Sequence, residues 1–251
     1  MIEIVALTGI PEIASGDILP TILSDAIRRA GIVPIATDIL VITQKIVSKA
    51  EGRLVSLAAI EPGPEARRLA ETTGKDPRLV ELVLRESSEI IRAAPHVLIA
   101  RHRSGHVMAN AGIDRSNLGS GDEDLALLLP EDSDRSAATI RAALRARWPQ
   151  PPAVLISDSF GRPWRMGVVN VALGASGLPS LVDRRGERDR DGRLLEVTQV
   201  ALADMVASAA GLVGGEGAES VPAVLVRGLD RSAVEAPVAA LIRPIDEDLF
   251  R

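Results

Sequence analysis

The order of the apolar segments is the feature of this sequence that most limits its fold. Short runs rich in β-branched residues, such as 38–43, alternate in the first half of the chain with segments of helical spacing, such as 18–30. Further along, the strand-like runs 97–101 and 107–109 follow one another with no helical segment between them. Because a doubly wound parallel sheet needs a helix between consecutive strands, this order predicts an α+β or mixed α/β fold.

Apolar spacing and terminating residues predict the other elements. Asp17 is expected to cap the first helix, and Gly31 to end it. Further helices are predicted at 64–73, 77–85, 134–147 and 194–212, further strands at 2–7, 154–157 and 223–226, and loops at 111–117, 158–165 and 184–193.

Composition bounds the class of protein. A chain of 251 residues can bury a substantial core, so 1–251 is interpreted as a single domain, with two subdomains as the alternative. The chain has no cysteine, so a metal would bind through oxygen or imidazole. A net charge of -5 and an aromatic content of 2% argue against nucleic-acid binding. Since neither a membrane-length apolar run nor a secretory signal is recognisable, we expect a cytoplasmic protein without membrane contacts.

Two lysines, Lys45 and Lys49, follow the apolar run 38–43. If the chain stays extended, they lie on one face of a strand, and if it turns helical, their spacing of four again places them on one face. Both conformations would bring two ammonium groups together, as phosphate binding requires. The alternative interpretation is a solvated basic edge.

Short polar side chains at two further places are candidate metal ligands. Asp114 lies near Asn117, and Asp158 directly precedes Ser159 at the end of an apolar run. Hard divalent cations such as Mg2+ prefer carboxylate, hydroxyl and carbonyl oxygens. Each aspartate could equally be an ordinary turn or cap residue, since Asp is common in both settings.

The glycine-rich segment 211–217 would allow the backbone to approach a nucleotide closely, but it follows a predicted helix, where glycine commonly ends the helix. Neither of the standard glycine-rich phosphate-loop motifs occurs in the chain.

Several longer motifs occur together in a fixed order. They are Gly-Ile-Pro-Glu at 9–12, Thr-Gln-Lys-Ile-Val-Ser-Lys-Ala-Glu-Gly-Arg at 43–53, Gly-Ile-Asp-Arg-Ser-Asn at 112–117, Leu-Leu-Pro at 128–130 with Asp-Arg-Ser-Ala at 134–137, Asp-Ser-Phe-Gly-Arg-Pro-Trp-Arg at 158–165, and Gly-Leu-Pro at 177–179 before Val-Asp at 182–183. In these motifs the chain resembles the coenzyme F420-0:gamma-glutamyl ligases over nearly its whole length.

The resemblance implies roles for individual residues. Asp114, Asp158 and Lys49 would be catalytic. The implied GTP-binding residues are Ile10, Pro11, Glu12, Ile13, Gln44, Lys49, Asn117, Val213, Gly214, Gly215 and Glu216, and the implied metal ligands are Asp114, Asp158, Ser159 and Glu216. The chain departs from the family pattern at Val213 to Glu216, where family members often carry a Met-Gly-Gln run.

The resemblance also implies a reaction, a fold and partners. The partners would be GTP, L-glutamate and F420-0, with two divalent cations, Mg2+ or Mn2+, and K+ as a further candidate cation. The carboxylate of F420-0 would be phosphorylated by GTP, and the amine of glutamate would then displace phosphate. The fold would be the unusual mixed α/β fold of the family, forming an intertwined homodimer. Two other functions remain open: a deazaflavin- or nucleotide-binding protein without catalysis, and a metal-dependent phosphohydrolase.

Overall fold

The computed structural model describes residues 1–116, 124–229 and 233–248. Helices and sheets are mixed along the chain, which confirms the α+β prediction. The strands are β1 (Glu3–Ala6), β2 (Ile39–Thr43), β3 (Leu54–Ser56), β4 (Ser87–Ala94), β5 (Val97–His102), β6 (Val107–Ala109), β7 (Leu125–Leu127), β8 (Ala153–Arg162), β9 (Arg165–Ser176), β10 (Val182–Asp183), β11 (Gln199–Val200) and β12 (Ala223–Arg227). The α-helices are α1 (Leu19–Arg29), α2 (Gln44–Ala50), α3 (Pro64–Thr73), α4 (Pro77–Glu86), α5 (Ser133–Leu144) and α6 (Leu202–Gly214).

A five-stranded sheet in the order β1-β12-β2-β8-β9 forms the centre of the structure. The β2 and β8 strands run parallel, with Thr43 at the end of β2 opposite Ser157 in the middle of β8, and the other neighbours are antiparallel. Alternate residues of β2 point to opposite faces, so Leu40 and Ile42 pack on one side of the sheet and Ile39 and Val41 on the other.

Each face of this sheet is covered by helices. The α1 and α5 helices pack on the face of Leu40, and α6 packs on the opposite face. A separate apolar cluster forms among α3, α4, β5 and the β3–β7 pair. None of the helices among the described residues has the length and apolar character needed to cross a membrane.

The segment 158–165 was predicted as a loop, and this prediction is wrong. The β8 strand continues to Arg162, turns, and returns as β9, so that Asp158 pairs with Val171 and Ser159 with Asn170. Backbone hydrogen bonds to β9 hold these polar residues in a strand, although their side chains carry no β-strand pattern.

Two predicted helix boundaries are also wrong. Asp17 does not cap α1, because its carboxylate accepts a hydrogen bond from the N–H of Ala14 at 2.8 Å and α1 begins only at Leu19. The helix predicted at 194–212 begins at Leu202 instead. The residues before it pair as β11 with β10, and this pairing excludes a helical conformation there.

Gly174 permits a close approach between β9 and the start of α5. A Cβ atom at this position would overlap the backbone carbonyl group of Ser133. We therefore expect Gly174→Ala to lower the free energy of unfolding by roughly 2 to 4 kcal/mol, because β9 and α5 must separate. Urea unfolding would measure this change.

Gly161→Ala is the matched control, since Gly161 lies in the same hairpin and a Cβ there would meet no atom within 4 Å. We expect this variant to differ from the wild type by less than about 0.5 kcal/mol. Equal stabilities of the two variants would show that the close approach at Gly174 is not needed.

Candidate functional site

A cavity of about 520 Å³ opens where β2 ends at Thr43, beside the middle of β8 at Ser157 to Ser159. Ligands of α/β sheets commonly bind beyond the carboxyl ends of the strands. The walls come from the segment after β1, from α2, from β8 and β9, and from the end of α6: they include Ile10, Pro11, Glu12, Ile13, Thr43, Lys45, Lys49, Ser157, Asp158, Ser159, Asn170, Gly211, Gly214, Gly215, Glu216, Gly217 and Ser220.

The α2 helix brings two lysines to this cavity. Of the two conformations considered for 44–49, the chain adopts the helical one, and Lys45 and Lys49 lie one turn apart on the cavity side. Lys49 forms an ion pair with the exposed carboxylate of Glu12. Lys45 forms an ion pair with Asp114, with 2.7 Å between Nζ and Oδ2. Both ammonium groups are therefore held by carboxylates at the edge of the cavity.

Asp114 follows the short 3-10 helix Asn110–Gly112 and is half-buried. Its Oδ1 accepts a hydrogen bond from the N–H of Ser116 at 2.7 Å, and its Oδ2 accepts one from Ser116 Oγ at 2.9 Å in addition to the Lys45 contact. Burial acts to raise the pKa of Asp114, but the bonds from Lys45 and Ser116 outweigh it and hold the pKa below its usual value. Asp114 is therefore a carboxylate at neutral pH.

Asp158 lies on β8 and lines the cavity. Burial raises its pKa to about 7, and the negative charges of Asp114 and Glu216 add to this, against the opposing effects of the Ser159 N–H and the charge of Lys45. Asp114 and Glu216 therefore lie near enough to Asp158 for their negative charges to act on it. A cation among them would relieve their mutual repulsion.

Asn170, a residue outside the sequence predictions, holds the carboxylate of Glu216. Asn170 donates a hydrogen bond from Nδ2 to Glu216 Oε1 at 2.6 Å. A Cβ atom at Gly211 would overlap the Asn170 amide, so this glycine provides space for that side chain. The only sequence signal for Asn170 is its polar side chain within the β-branched run 168–171. Gly211 itself does not end the helix, which continues to Gly214 and ends at Gly215 with a φ of 74°.

Comparison with known proteins assigns the family. The family described as F420-0:Gamma-glutamyl ligase matches residues 9–228. The chain belongs to the F420-0:gamma-glutamyl ligase family. It is 46% identical to the coenzyme F420:L-glutamate ligase of Methanothermobacter thermautotrophicus over 100% of this chain and 99% of that protein. It is 51% identical to the protein of the same name from Methanopyrus kandleri over 85% of each chain. The resemblance read from the motifs is thereby confirmed.

Most of the residues to which membership of the F420-0:gamma-glutamyl ligase family assigns a role line this cavity. They are Ile10, Pro11, Glu12, Ile13, Lys49, Asp158, Ser159, Gly214, Gly215 and Glu216. Asp114 is linked to the cavity through Lys45. Asn117 lies outside the described residues. The functional roles of these residues stay predictions.

Two of the expected GTP-binding residues, Gln44 and Val213, do not line the cavity. Gln44 is buried within α2, where its Oε1 accepts a hydrogen bond from Ser48 Oγ at 2.8 Å. Val213 packs against the apolar cluster between α6 and the sheet. A contact of either side chain with a nucleotide would require it to leave these partners.

The donor set at the cavity suits the divalent cations implied by the family. Among the described residues, no three acidic or histidine side chains are already arranged around a common metal position. Mg2+ does not require such a cluster, because it is usually held by one or two carboxylates, water and substrate phosphates. Asp158, Ser159 and Glu216 all line the cavity and offer carboxylate and hydroxyl oxygens, so the residues fit a hard cation.

Proposed function

We propose that this chain is a ligase that uses GTP to join L-glutamate to coenzyme F420-0 through an acyl phosphate, giving F420-1 and longer gamma-glutamyl tails. The observation that carries the proposal is the gathering of Lys45, Lys49 and Asp158 at one cavity in a chain of this family. Similarity over the whole chain to a protein named coenzyme F420:L-glutamate ligase supports the same reaction.

The first step would transfer the γ-phosphoryl group. A carboxylate oxygen of F420-0 attacks the γ-phosphorus of GTP, the bond to the β-γ bridging oxygen breaks, and GDP leaves. Such transfers need positioning and charge neutralisation more than a nucleophile from the protein. Lys49 and Lys45 would bind phosphate oxygens as point charges.

Asp158, Ser159, Glu216 and Asp114 would hold the cations, two Mg2+ or Mn2+ ions, with K+ as a further candidate. When bound, these cations would neutralise negative charge on the phosphates. The side chains that hold the cations would fix the position of the positive charge, because Asp158, Ser159 and Glu216 belong to the walls of the cavity.

The second step would form the amide bond. The neutral amine of L-glutamate attacks the acyl carbon, phosphate leaves, and the proton of the attacking nitrogen passes to solvent. No covalent intermediate with the protein is needed, which agrees with a chain that has no cysteine. The cavity's role is to keep the acyl phosphate close to the amine and away from water.

Phosphate release tests this scheme against the two other functions. A ligase releases phosphate from GTP only when both F420-0 and L-glutamate are present, whereas a phosphohydrolase releases it without glutamate and a binding protein releases none. Labelling the F420-0 carboxylate with 18O should place one labelled oxygen in the released phosphate. Unlabelled phosphate would rule out the acyl phosphate.

We further propose that the protein is a homodimer. The tip of the β8–β9 hairpin supports this, because Trp164 is 81% and Met166 96% exposed beside the half-exposed Val168. Apolar side chains grouped in this way are typical of a contact surface.

We expect Trp164→Ser to shift the mass measured by light scattering from dimer toward monomer, since it removes an aromatic anchor. Val197→Ser, which changes a residue that is 84% exposed in a different hairpin, should leave the mass unchanged. A monomeric wild type, or a dimer equally stable in the Trp164 variant, would contradict the assignment of this surface.

A further inference from the structure

Both carboxylate oxygens of Asp114 already have partners. Oδ1 accepts from the N–H of Ser116 at 2.7 Å, and Oδ2 accepts from Lys45 Nζ at 2.7 Å and from Ser116 Oγ at 2.9 Å. Ser116 is two residues away and its backbone contact is local. The Lys45 ammonium, which also donates to Ser116 Oγ at 2.9 Å, is held across 69 residues of sequence and ends a flexible side chain, so it is the partner that can be replaced.

The partner of Asp114 is a lysine in a chain whose basic residues are mostly arginines. The chain contains 29 lysine and arginine residues, of which only Lys45, Lys49 and Lys75 are lysines. Two of these three line the cavity. Arginine would hold a carboxylate more rigidly through a planar, two-pronged contact, whereas lysine is a compact charge on a flexible stem that can exchange one anionic partner for another.

We propose that Lys45 and a divalent cation are alternative partners of Asp114, and that the displaced Lys45 ammonium then pairs with the phosphate oxygens of the nucleotide. This inference rests on the proposed function, because it takes the cation and GTP from that scheme. Lys45 is half-buried on the cavity wall, so its ammonium can turn from Asp114 toward a ligand in the cavity without any change in the helix.

The exchange of partners at Asp114 and Lys45 couples the binding of the cation to the binding of the nucleotide. A cation that binds alone must displace Lys45 and leave that charge without a carboxylate, which weakens its binding. A nucleotide phosphate provides a new partner for the ammonium and thereby favours the cation. The two ligands should therefore strengthen each other's binding by the same factor, as linkage requires.

Lys49 provides the matched comparison on the same helix. Its ion pair is with Glu12, an exposed carboxylate at the cavity mouth that is not among the expected metal ligands. Removing the Lys49 charge should weaken nucleotide binding without releasing Asp114. The two lysines therefore differ in their expected effect on cation binding in the absence of nucleotide.

The test is a Mn2+ titration of the purified full-length chain without nucleotide, in which electron paramagnetic resonance measures free Mn2+. We expect Lys45→Met to bind Mn2+ about tenfold more tightly than the wild type, in the usual range of coupling between sites. Lys49→Met should stay within about twofold of the wild type, and Lys45→Arg, which keeps the competing charge, should not gain affinity. Lys45→Gln repeats the test if the methionine variant folds poorly.

The same titration with a non-hydrolysable GTP analogue should tighten Mn2+ binding in the wild type and do so much less in Lys45→Met. Glutamate addition by this variant should also fall at saturating Mn2+, because the phosphate partner is missing. Tighter metal binding together with slower turnover distinguishes this role from a structural one.

Unchanged or weaker Mn2+ binding in Lys45→Met, in a protein whose wild type binds Mn2+, would overturn the exchange at Asp114. Full turnover by that variant would overturn the role of the displaced ammonium. Failure of the wild type to bind Mn2+ with or without the nucleotide analogue would count against the proposed function itself, and with it against this inference.

Discussion

Replacement of Asp158 by asparagine is expected to lower the rate of glutamate addition by about a hundredfold or more while the fold stays intact. Asp158 is half-buried on β8 and lines the same cavity as the two lysines and Glu216. Asparagine keeps the shape and one neutral oxygen but removes a negative charge from the proposed cation site. Metal affinity and turnover should therefore fall together.

The rate would be measured as a function of Mn2+ concentration, with thermal melting in EDTA to confirm folding. Asp17→Asn is a suitable control, because Asp17 accepts a hydrogen bond in an exposed turn and asparagine can do the same. An Asp158 variant with a near wild-type rate and unchanged metal dependence would mean that Asp158 is an ordinary strand residue.

Lys49→Ala is expected to weaken GTP binding by roughly tenfold to a hundredfold, corresponding to the loss of one charge-assisted contact. The side chain lies at the cavity, and its partner Glu12 is exposed, so the ammonium can pass to a phosphate at little cost. Isothermal titration with GTP would measure the change. The melting temperature should hardly move, because Lys49 belongs to none of the apolar clusters.

Lys75→Ala is the matched control for this experiment. Lys75 lies between α3 and α4, away from the residues that line the cavity, and its replacement should not affect GTP affinity. If the folded Lys49 variant binds GTP as the wild type does, Lys49 would instead belong to a solvated basic edge.

Elements with regular apolar spacing were predictable from the sequence. The runs that became β2 and β12 are buried in a central sheet, and α3 begins with a proline and carries apolar residues at helical spacing. The β9 strand was not predicted, because Asn170, Gly167 and Gly174 interrupt its apolar pattern. Its conformation depends on pairing with β8, and no local pattern reports that pairing.

The site likewise contains contacts that local sequence predicts and contacts that depend on long-range packing. The convergence of Lys45 and Lys49 was predictable because both conformations of the segment place them on one face. The contact between Asn170 and Glu216 joins residues 46 positions apart, and the contact between Lys45 and Asp114 spans 69. These partners meet because the middle of β8 and β9, the start of α2 and the segment after α6 come together at one cavity, which only the tertiary structure reveals.

Mass spectrometry of the coenzyme after incubation with the purified chain tests the central claim most directly. With GTP, Mn2+ and L-glutamate, F420-0 should gain the mass of one glutamyl residue, followed by further residues if the tail is extended. Replacement of GTP by ATP should slow the gain, and omission of glutamate should abolish it. Hydrolysis of GTP with no change in the mass of F420-0, in a folded protein supplied with all three substrates, would contradict the proposal that this chain is a ligase.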